Sequence, residues 1–254
     1  MDFFISNIYT VILVPLWVCL IIMLGKLFAV FQSRRLMAGL TITSTLYILA
    51  FSIAAFAKNL LNTGFTYEIA FPFIKISAIE FSIGAYIDGL SSWMLLIVAI
   101  ISLLVQIYSY SYMQFDKSFM RYFAYMNLFT FSMVGLVLSP NMFQTYIFWE
   151  LVGASSYLLI GFWYKKEVVS NAAKKTFIIN RIGDFSLLSG IIMGGYILYS
   201  NYDNIVSINL PFSDLASISD QIYAATSDGI FIVLCLLLII ASIAKSAQFP
   251  LNTW

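Results

Sequence analysis

Seven stretches of this 254-residue chain are almost continuously apolar, at about 5–25, 36–57, 89–110, 119–138, 142–163, 176–200 and 229–249. Each is close to the ~20 residues that an α-helix needs to cross the ~30 Å hydrocarbon core of a bilayer. A helix is also the natural solution there, because a segment in lipid must satisfy its own backbone hydrogen bonds. The pattern predicts an all-α polytopic membrane protein with about seven transmembrane helices. Two intervals interrupt it. Residues 58–88 alternate and are rich in aromatic and β-branched side chains, which predicts a surface hairpin. Residues 201–228 hold Asp203, Asp214, Asp220 and Asp228 with no basic residue, and read as an acidic connecting loop. The first apolar run, from Ile5 to Leu24, has neither a basic leader nor a small-residue cleavage site, so it reads as a span and not as a removed signal peptide.

Composition agrees with this picture: 61% of residues are hydrophobic, 10% are charged and the mean hydropathy is +0.93. A net charge of +1 points to no nucleic-acid partner. Cys19 and Cys235 fall inside spans and are expected to pack as small apolar residues without forming a disulfide. The chain has no histidine, so it lacks the commonest metal ligand and the usual near-neutral proton carrier. No metal site is expected. Proton chemistry, if present, falls to carboxylates and lysines.

Charge also sets an orientation. Lys26, Arg34, Arg35, Lys117, Arg121, Lys165, Lys166, Lys174 and Lys175 fall in connections on one side, against Lys58 and Lys75 on the other. The positive-inside rule then places the N-terminus outside and runs the seventh span inward. Anchoring to lipid headgroups accounts for most of these basic residues. The final run, AKSAQFPLNTW, stops at Trp254 without a polar tail, which predicts a fragment of a longer protein.

Four charges remain inside spans: Glu150, Arg181, Asp184 and Lys245. A mid-helix charge in lipid costs ~2.5–3.5 kcal/mol on insertion scales, so each needs a partner, a wet cavity or a proton that comes and goes. Arg181 and Asp184 are three residues apart and can pair along one helix face, serving packing or function alike. Glu150 has no opposite charge within four residues of its own helix. It is either a neutral acid hydrogen-bonded to backbone or a functional carboxylate whose partner lies on another span. Gly153, Ala154, Ser155 and Ser156 follow it and permit close helix approach. Lys245 can snorkel toward the inner interface. Alternatively, Pro250 breaks the seventh helix within the membrane and leaves Lys245 at the break, as in transporter ion sites. Helix rise places Glu150 about 12 Å and Lys245 about 24 Å from the outer face, a mismatch for straight helices that start level. No phosphate-binding glycine loop, haem or iron–sulfur cysteine pattern, or hydrolytic nucleophile–base set is present, so no redox centre is expected in this chain.

YIDGLSSWMLLIV (87–99), YSYSYM (108–113), RYFAYMNLFTFSM (121–133), FWELVGASSYLLIGFWY (148–164), AAKKTFIINRIGDF (172–185) and AKSAQFPLNTW (244–254) occur in an order that resembles one family. This is the antiporter-like membrane subunits of respiratory complex I (NADH:quinone oxidoreductase), of the L or subunit 5 type. The resemblance covers about residues 85–254. It implies an inverted-repeat bundle with a broken seventh helix, here as two regions: 1–88, two spans plus an extracytoplasmic hairpin, and 89–254, the first repeat of the proton-translocation domain, truncated at its C-terminus. By position, Glu150 and Lys245 match the carboxylate–lysine pair of the proton channel, and Arg181 and Asp184 match a supporting charged pair. Asn252 stands where many relatives carry histidine or glutamine, so that site has no titrating group.

The resemblance further implies no cofactor in this chain, with NAD, FMN, iron–sulfur clusters and quinone in partner subunits. The expected partners are other membrane subunits, especially a sister antiporter-like chain, and the lipid bilayer. The expected location is a bacterial inner membrane, with an organellar inner membrane as the rival. The expected function is coupling of quinone reduction to proton pumping, with Lys245 as proton carrier and Glu150 as electrostatic gate. The rivals are the large membrane chain of a multi-subunit, Mrp-type sodium/proton antiporter, a membrane component of a hydrogenase or formate lyase, and a purely structural membrane module.

Overall fold

The computed structural model of the chain describes residues 7–28, 33–62, 64–76, 79–201 and 210–254. In order, these form α1 (Ile8–Leu27), α2 (Arg34–Leu61), β1 (Tyr67–Ile76), β2 (Ile79–Ile87), α3 (Gly89–Tyr112), α4 (Phe119–Val137), α5 (Met142–Ile160) and α6 (Glu167–Asn201). A 3-10 turn (Phe212–Asp214), α7 (Leu215–Ala225) and α8 (Asp228–Lys245) complete the chain. A helix occupies each of the seven predicted spans. Five of them, α1, α2, α3, α6 and α8, are long and apolar enough to cross a membrane. The 19-residue α4 and α5 are long enough too, but polar residues such as Asn127, Thr130, Gln144 and Glu150 lower their hydropathy. The hairpin predicted in 58–88 is present as the two-stranded sheet β1–β2.

Two expectations are corrected. The interval 201–228 is not only a loop: Leu215, Ile218 and Ile222 carry a helical apolar spacing, and α7 forms there with Ile222 buried. Asp203 lies outside the described residues. The sixth helix starts at Glu167 and not near 176, so Lys174 and Lys175 lie on the helix itself. Its 35 residues span ~50 Å, more than a bilayer core requires, so the basic end extends beyond the apolar section.

The chain divides into two compact units. One comprises the chain through Ile69 together with Ala85–Leu138; the other comprises Ala70–Gly84 and Ser139–Trp254. In the first unit, α1 buries Ile8, Val11, Ile12, Pro15, Val18, Cys19 and Ile22, a stripe at helical spacing, and exposes Trp17, Leu20, Ile21 and Leu24. That exposed apolar face is what a lipid-facing helix requires. Interior polar side chains mostly bond back to their own helix: Thr41 to the Ala38 carbonyl, Thr130 to Met126 and Ser132 to Leu128. Ser44 donates across to Asn127 Oδ1 on α4 at 3.3 Å. A capping box starts α3, with the Ser91 N–H on Asp88 Oδ1 and the Asp88 N–H on Ser91 Oγ, both 2.7 Å.

In the second unit, α6 and α8 pack closely through small residues. A Cβ at Gly183 would collide with the Ala244 side chain, and one at Gly190 would lie 2.9 Å from Leu238 Cδ2. Ser186 Oγ donates across the same contact to the Leu237 carbonyl at 2.7 Å. The helix α8 ends at Lys245, followed by turns through residue 253. The helix does not reach Pro250: Ala247 has a φ of 52°, in the left-handed region that a right-handed helix cannot accommodate. Trp254 Nε1 donates to the Ala244 carbonyl at 3.0 Å and satisfies one of the acceptors orphaned at the helix end.

Candidate functional site

All four intramembrane charges belong to the second unit, and the start of α5 fixes the first of them. Asn141 Oδ1 caps the helix by accepting from the Gln144 N–H at 2.8 Å, while Asn141 Nδ2 donates to the Ser82 carbonyl at 3.0 Å. The Gln144 side chain pairs with one backbone unit of β2. It accepts from the Gly84 N–H at 2.8 Å and donates to the Gly84 carbonyl at 2.9 Å. Both side chains are buried. These bonds set the height and rotation of α5, and Glu150 follows less than two turns later.

Glu150 Oε2 pairs with Arg181 on α6, and its Oε1 accepts from the Tyr146 hydroxyl at 2.9 Å, one turn earlier on α5. Arg181 also reaches Asp184 Oδ2, at 3.9 Å, and lies over the Phe177 ring, 4.5 Å from its centroid. Asp184 is 1% exposed and has a second cation, Lys245 Nζ, 3.6 Å from Oδ1. The Lys245 ammonium donates to the Trp149 carbonyl at 2.5 Å and lies 5.1 Å from the centroid of the Trp149 indole. The result is a row of alternating charges, Glu150–Arg181–Asp184–Lys245, running from α5 through α6 to the end of α8. Asp184 is thus a buried carboxylate set between two cations, with Arg181 toward Oδ2 and Lys245 toward Oδ1.

Gly153 shapes the space around the lysine. A Cβ there would lie 3.1 Å from Lys245 Nζ and 3.8 Å from Asp184 Oδ2. The small run after Glu150 therefore brings the helix backbone up to a charged head group, and not merely to another helix.

This geometry corrects two expected pairings. Glu150 does find its partner on another span, but the partner is Arg181, and the carboxylate beside Lys245 is Asp184. Arg181 and Asp184 are thus not self-contained: each also pairs outside its own helix. Nor does the depth mismatch keep α8 away from Glu150. Gly183 faces Ala244, Gly190 faces Leu237 and Leu238, and Gly194 faces Leu234, which fixes α6 and α8 antiparallel. Glu150 meets Arg181 and Tyr157 packs on Phe177, which fixes α5 and α6 antiparallel as well. In that register the first turn of α5 lies level with the middle of α8. α8 therefore begins roughly nine residues, or ~13 Å, before that level. The two helices do not start level, and the offset cancels the 12 Å difference in counted depth.

Tyr146 and Trp149 were not anticipated. Tyr146 sits four residues before Glu150, a spacing at which helix side chains meet, so its role had a sequence signal. The Trp149 contacts use a backbone carbonyl and a ring face, which no spacing rule points to. Among the described residues no group of three or more histidine, cysteine, aspartate or glutamate side chains could hold a metal ion.

Residues 139–254 match the family model described as "NADH:quinone oxidoreductase/Mrp antiporter, TM", and residues 73–123 match "NADH-Ubiquinone oxidoreductase (complex I), chain 5 N-terminus". The chain is 43% identical over 224 residues to the chloroplast NAD(P)H-quinone oxidoreductase subunit 5 of Chara vulgaris, covering 88% of this chain and 33% of that protein. It thus spans about a third of the length of this curated relative. Two solved structures share its fold. A chain of the archaeal membrane-bound sulfane sulfur reductase superposes with a TM-score of 0.76 at 19% identity, covering 97% of this chain and 46% of that one. A chain of the Mrp complex from Dietzia sp. DQ12-45-1b gives 0.74 at 19% identity, covering 98% and 24%.

Proposed function

Because the chain belongs to the antiporter-like membrane-subunit family shared by NADH:quinone oxidoreductase and Mrp antiporters, on its complex I subunit 5 branch, we propose that it carries protons across the membrane within a complex-I-type oxidoreductase. The observation that supports this most is the alternating charge row, with Lys245 at the C-terminal end of α8 and against a buried carboxylate.

In this reading Lys245 is the proton carrier. A neighbouring carboxylate favours a charged lysine, and loss of that countercharge in an apolar site favours the neutral amine. Arg181 stands between two carboxylates, bound to Glu150 and 3.9 Å from Asp184. While Glu150 holds Arg181, Asp184 is left to Lys245 and the lysine keeps its proton. When Arg181 moves onto Asp184, the countercharge of Lys245 is neutralised and the proton is released. Glu150 then acts as a gate through its competition for Arg181, with Tyr146 holding it in place. The driving energy comes from quinone reduction in partner subunits that carry NAD, FMN and iron–sulfur clusters, passed on through neighbouring membrane subunits, including a sister antiporter-like chain. The basic connections orient the N-terminus away from the compartment that faces those carriers.

Lys245→Ala and Glu150→Gln in the assembled complex should each cut protons pumped per quinone reduced while assembly persists. Undiminished pumping in assembled variants refutes the roles. The second reading, the large membrane chain of a multi-subunit sodium/proton antiporter, has the Mrp part of the matched family description in its favour. It predicts sodium-dependent proton exchange with no quinone reduction.

A further inference from the structure

The interior of the first unit holds a neutral polar layer that plays no part in the charge row. Its centre is Gln106 on α3, which is fully buried, with neither Nε2 nor Oε1 in a hydrogen bond. Contacts at both ends of α3 fix what surrounds it. Asn59 Nδ2 on α2 donates to Ser92 Oγ at 3.0 Å, and Phe56 packs on Trp93, so α2 and α3 run antiparallel in that register. Gln106 lies fourteen residues after Ser92, close to four full turns, and so returns to the same face of α3. Counting fourteen residues back from Asn59 reaches Thr45. Ser109, one turn beyond Gln106, meets the Tyr122 hydroxyl at 3.1 Å, which turns that face toward α4 as well. Thr45 is fully buried, and its neighbour Ser44 donates to Asn127 Oδ1 on α4. Thr45 lies eleven residues, or ~16 Å, along α2 from Arg34, which sets this layer well inside the span.

The hydroxyls of this layer are already committed as donors. Thr45 Oγ1 donates to the Thr41 and Ile42 carbonyls of its own helix, and Ser44 Oγ donates to Asn127. Asn127 is itself pinned through Nδ2 to the Phe123 carbonyl at 2.8 Å. What the two hydroxyls still offer is acceptor oxygen. Gln106 needs an acceptor for its N–H groups and a donor for its carbonyl oxygen, so its partner must do both. No charged residue occurs at 8–25, 36–57, 89–112 or 122–137, the apolar lengths of α1 to α4, so nothing there compensates an ion. Water meets both requirements, and a buried water typically makes ~3 hydrogen bonds to groups of this kind.

We propose that Gln106 binds at least one ordered water in the interior of the first unit, bridging α3 to the hydroxyl oxygens of Thr45 and Ser44 on α2. Bound there, the water ties α3 to the α2–α4 contact at Ser44 and Asn127, at a depth where lipid has no hydrogen bond to give. The site stands apart from the proton path through Lys245.

The test is electron cryo-microscopy of the protein, purified with the subunits that accompany it, at a resolution that shows ordered water at other buried polar side chains. The parent should show water density within hydrogen-bond distance of Gln106 Nε2 or Oε1, bonded also to Thr45 or Ser44. Gln106→Leu should lose that density while α2, α3 and α4 keep their places. Thr45→Val removes one accepting oxygen and keeps the branched shape, and should weaken or shift the density. A parent map in which both Gln106 atoms bond directly to protein, or in which no density stands beside them, would overturn the proposal. So would density that persists unchanged in Gln106→Leu, which would assign the water to the hydroxyls alone. If Gln106→Leu fails to assemble, the parent map and Thr45→Val decide the matter.

Discussion

Lys245 could in principle answer to either of two carboxylates, and a pair of double-mutant cycles separates them. The near-isosteric substitutions are Asp184→Asn, Glu150→Gln and Lys245→Gln. For Asp184 and Lys245, 3.6 Å apart, Coulomb attraction at an effective dielectric of ~20 is about 4–5 kcal/mol. The lysine side chain is 15% exposed and the aspartate 1%, so neither charge recovers much hydration if its partner is lost. Each single substitution should therefore destabilise by ~3–5 kcal/mol, with the double variant well below the sum. The Trp149 carbonyl remains as an acceptor for the ammonium, which lowers the expected coupling to ~2–3 kcal/mol, within the range for contacting pairs. In the Glu150–Lys245 cycle, Arg181 neutralises the glutamate before its field reaches the lysine, and the expected coupling is below ~1 kcal/mol. The assay is reversible unfolding of the purified protein in mixed micelles under increasing denaturant, with assembly and proton pumping followed in the same preparations. A Glu150–Lys245 coupling larger than that of Asp184–Lys245 would refute the pairing described here.

Gly153→Ala would bring a methyl group to 3.1 Å from Lys245 Nζ, so the ammonium must shift by a few tenths of an ångström. Pumping should fall several-fold while expression and assembly stay near parental, and a parental pumping rate would show that the position of Lys245 is not critical. Gln144→Ala leaves the half-buried Gly84 N–H and carbonyl without their side-chain partner, a loss of ~1–3 kcal/mol for two hydrogen bonds. Thermal unfolding in detergent should register it, and an unchanged midpoint would mean that the hairpin does not steady α5.

Hydropathy revealed the spans because lipid leaves a chain few alternatives to an apolar helix. Glu150, Arg181, Asp184 and Lys245 stood out for the same reason, as charges where charge is costly. Their pairing was not legible. Which cation meets which carboxylate depends on the height of α8 relative to α5, and that offset arises from packing at Gly183, Gly190 and Gly194. Counting residues from the start of each helix hides the offset, because it assumes a common starting level. The helix α7 was legible in part: Leu215, Ile218 and Ile222 fall at helical spacing, but the surrounding aspartates suggested a loop. The Gln144 clamp had no sequence signal, since an isolated glutamine says nothing of a strand sixty residues earlier.

Arg181 and Asp184 give α6 one charge of each sign, three residues apart, at the centre of the row. A transmembrane voltage acts on net charge, ~2.3 kcal/mol per elementary charge per 100 mV. A turn or slide of this helix that exchanges its partners moves no net charge along the field. The membrane potential therefore has almost no leverage on a rigid motion of the helix; in the proposed cycle it acts on the proton and on the Arg181 side chain as that cation passes from Glu150 to Asp184.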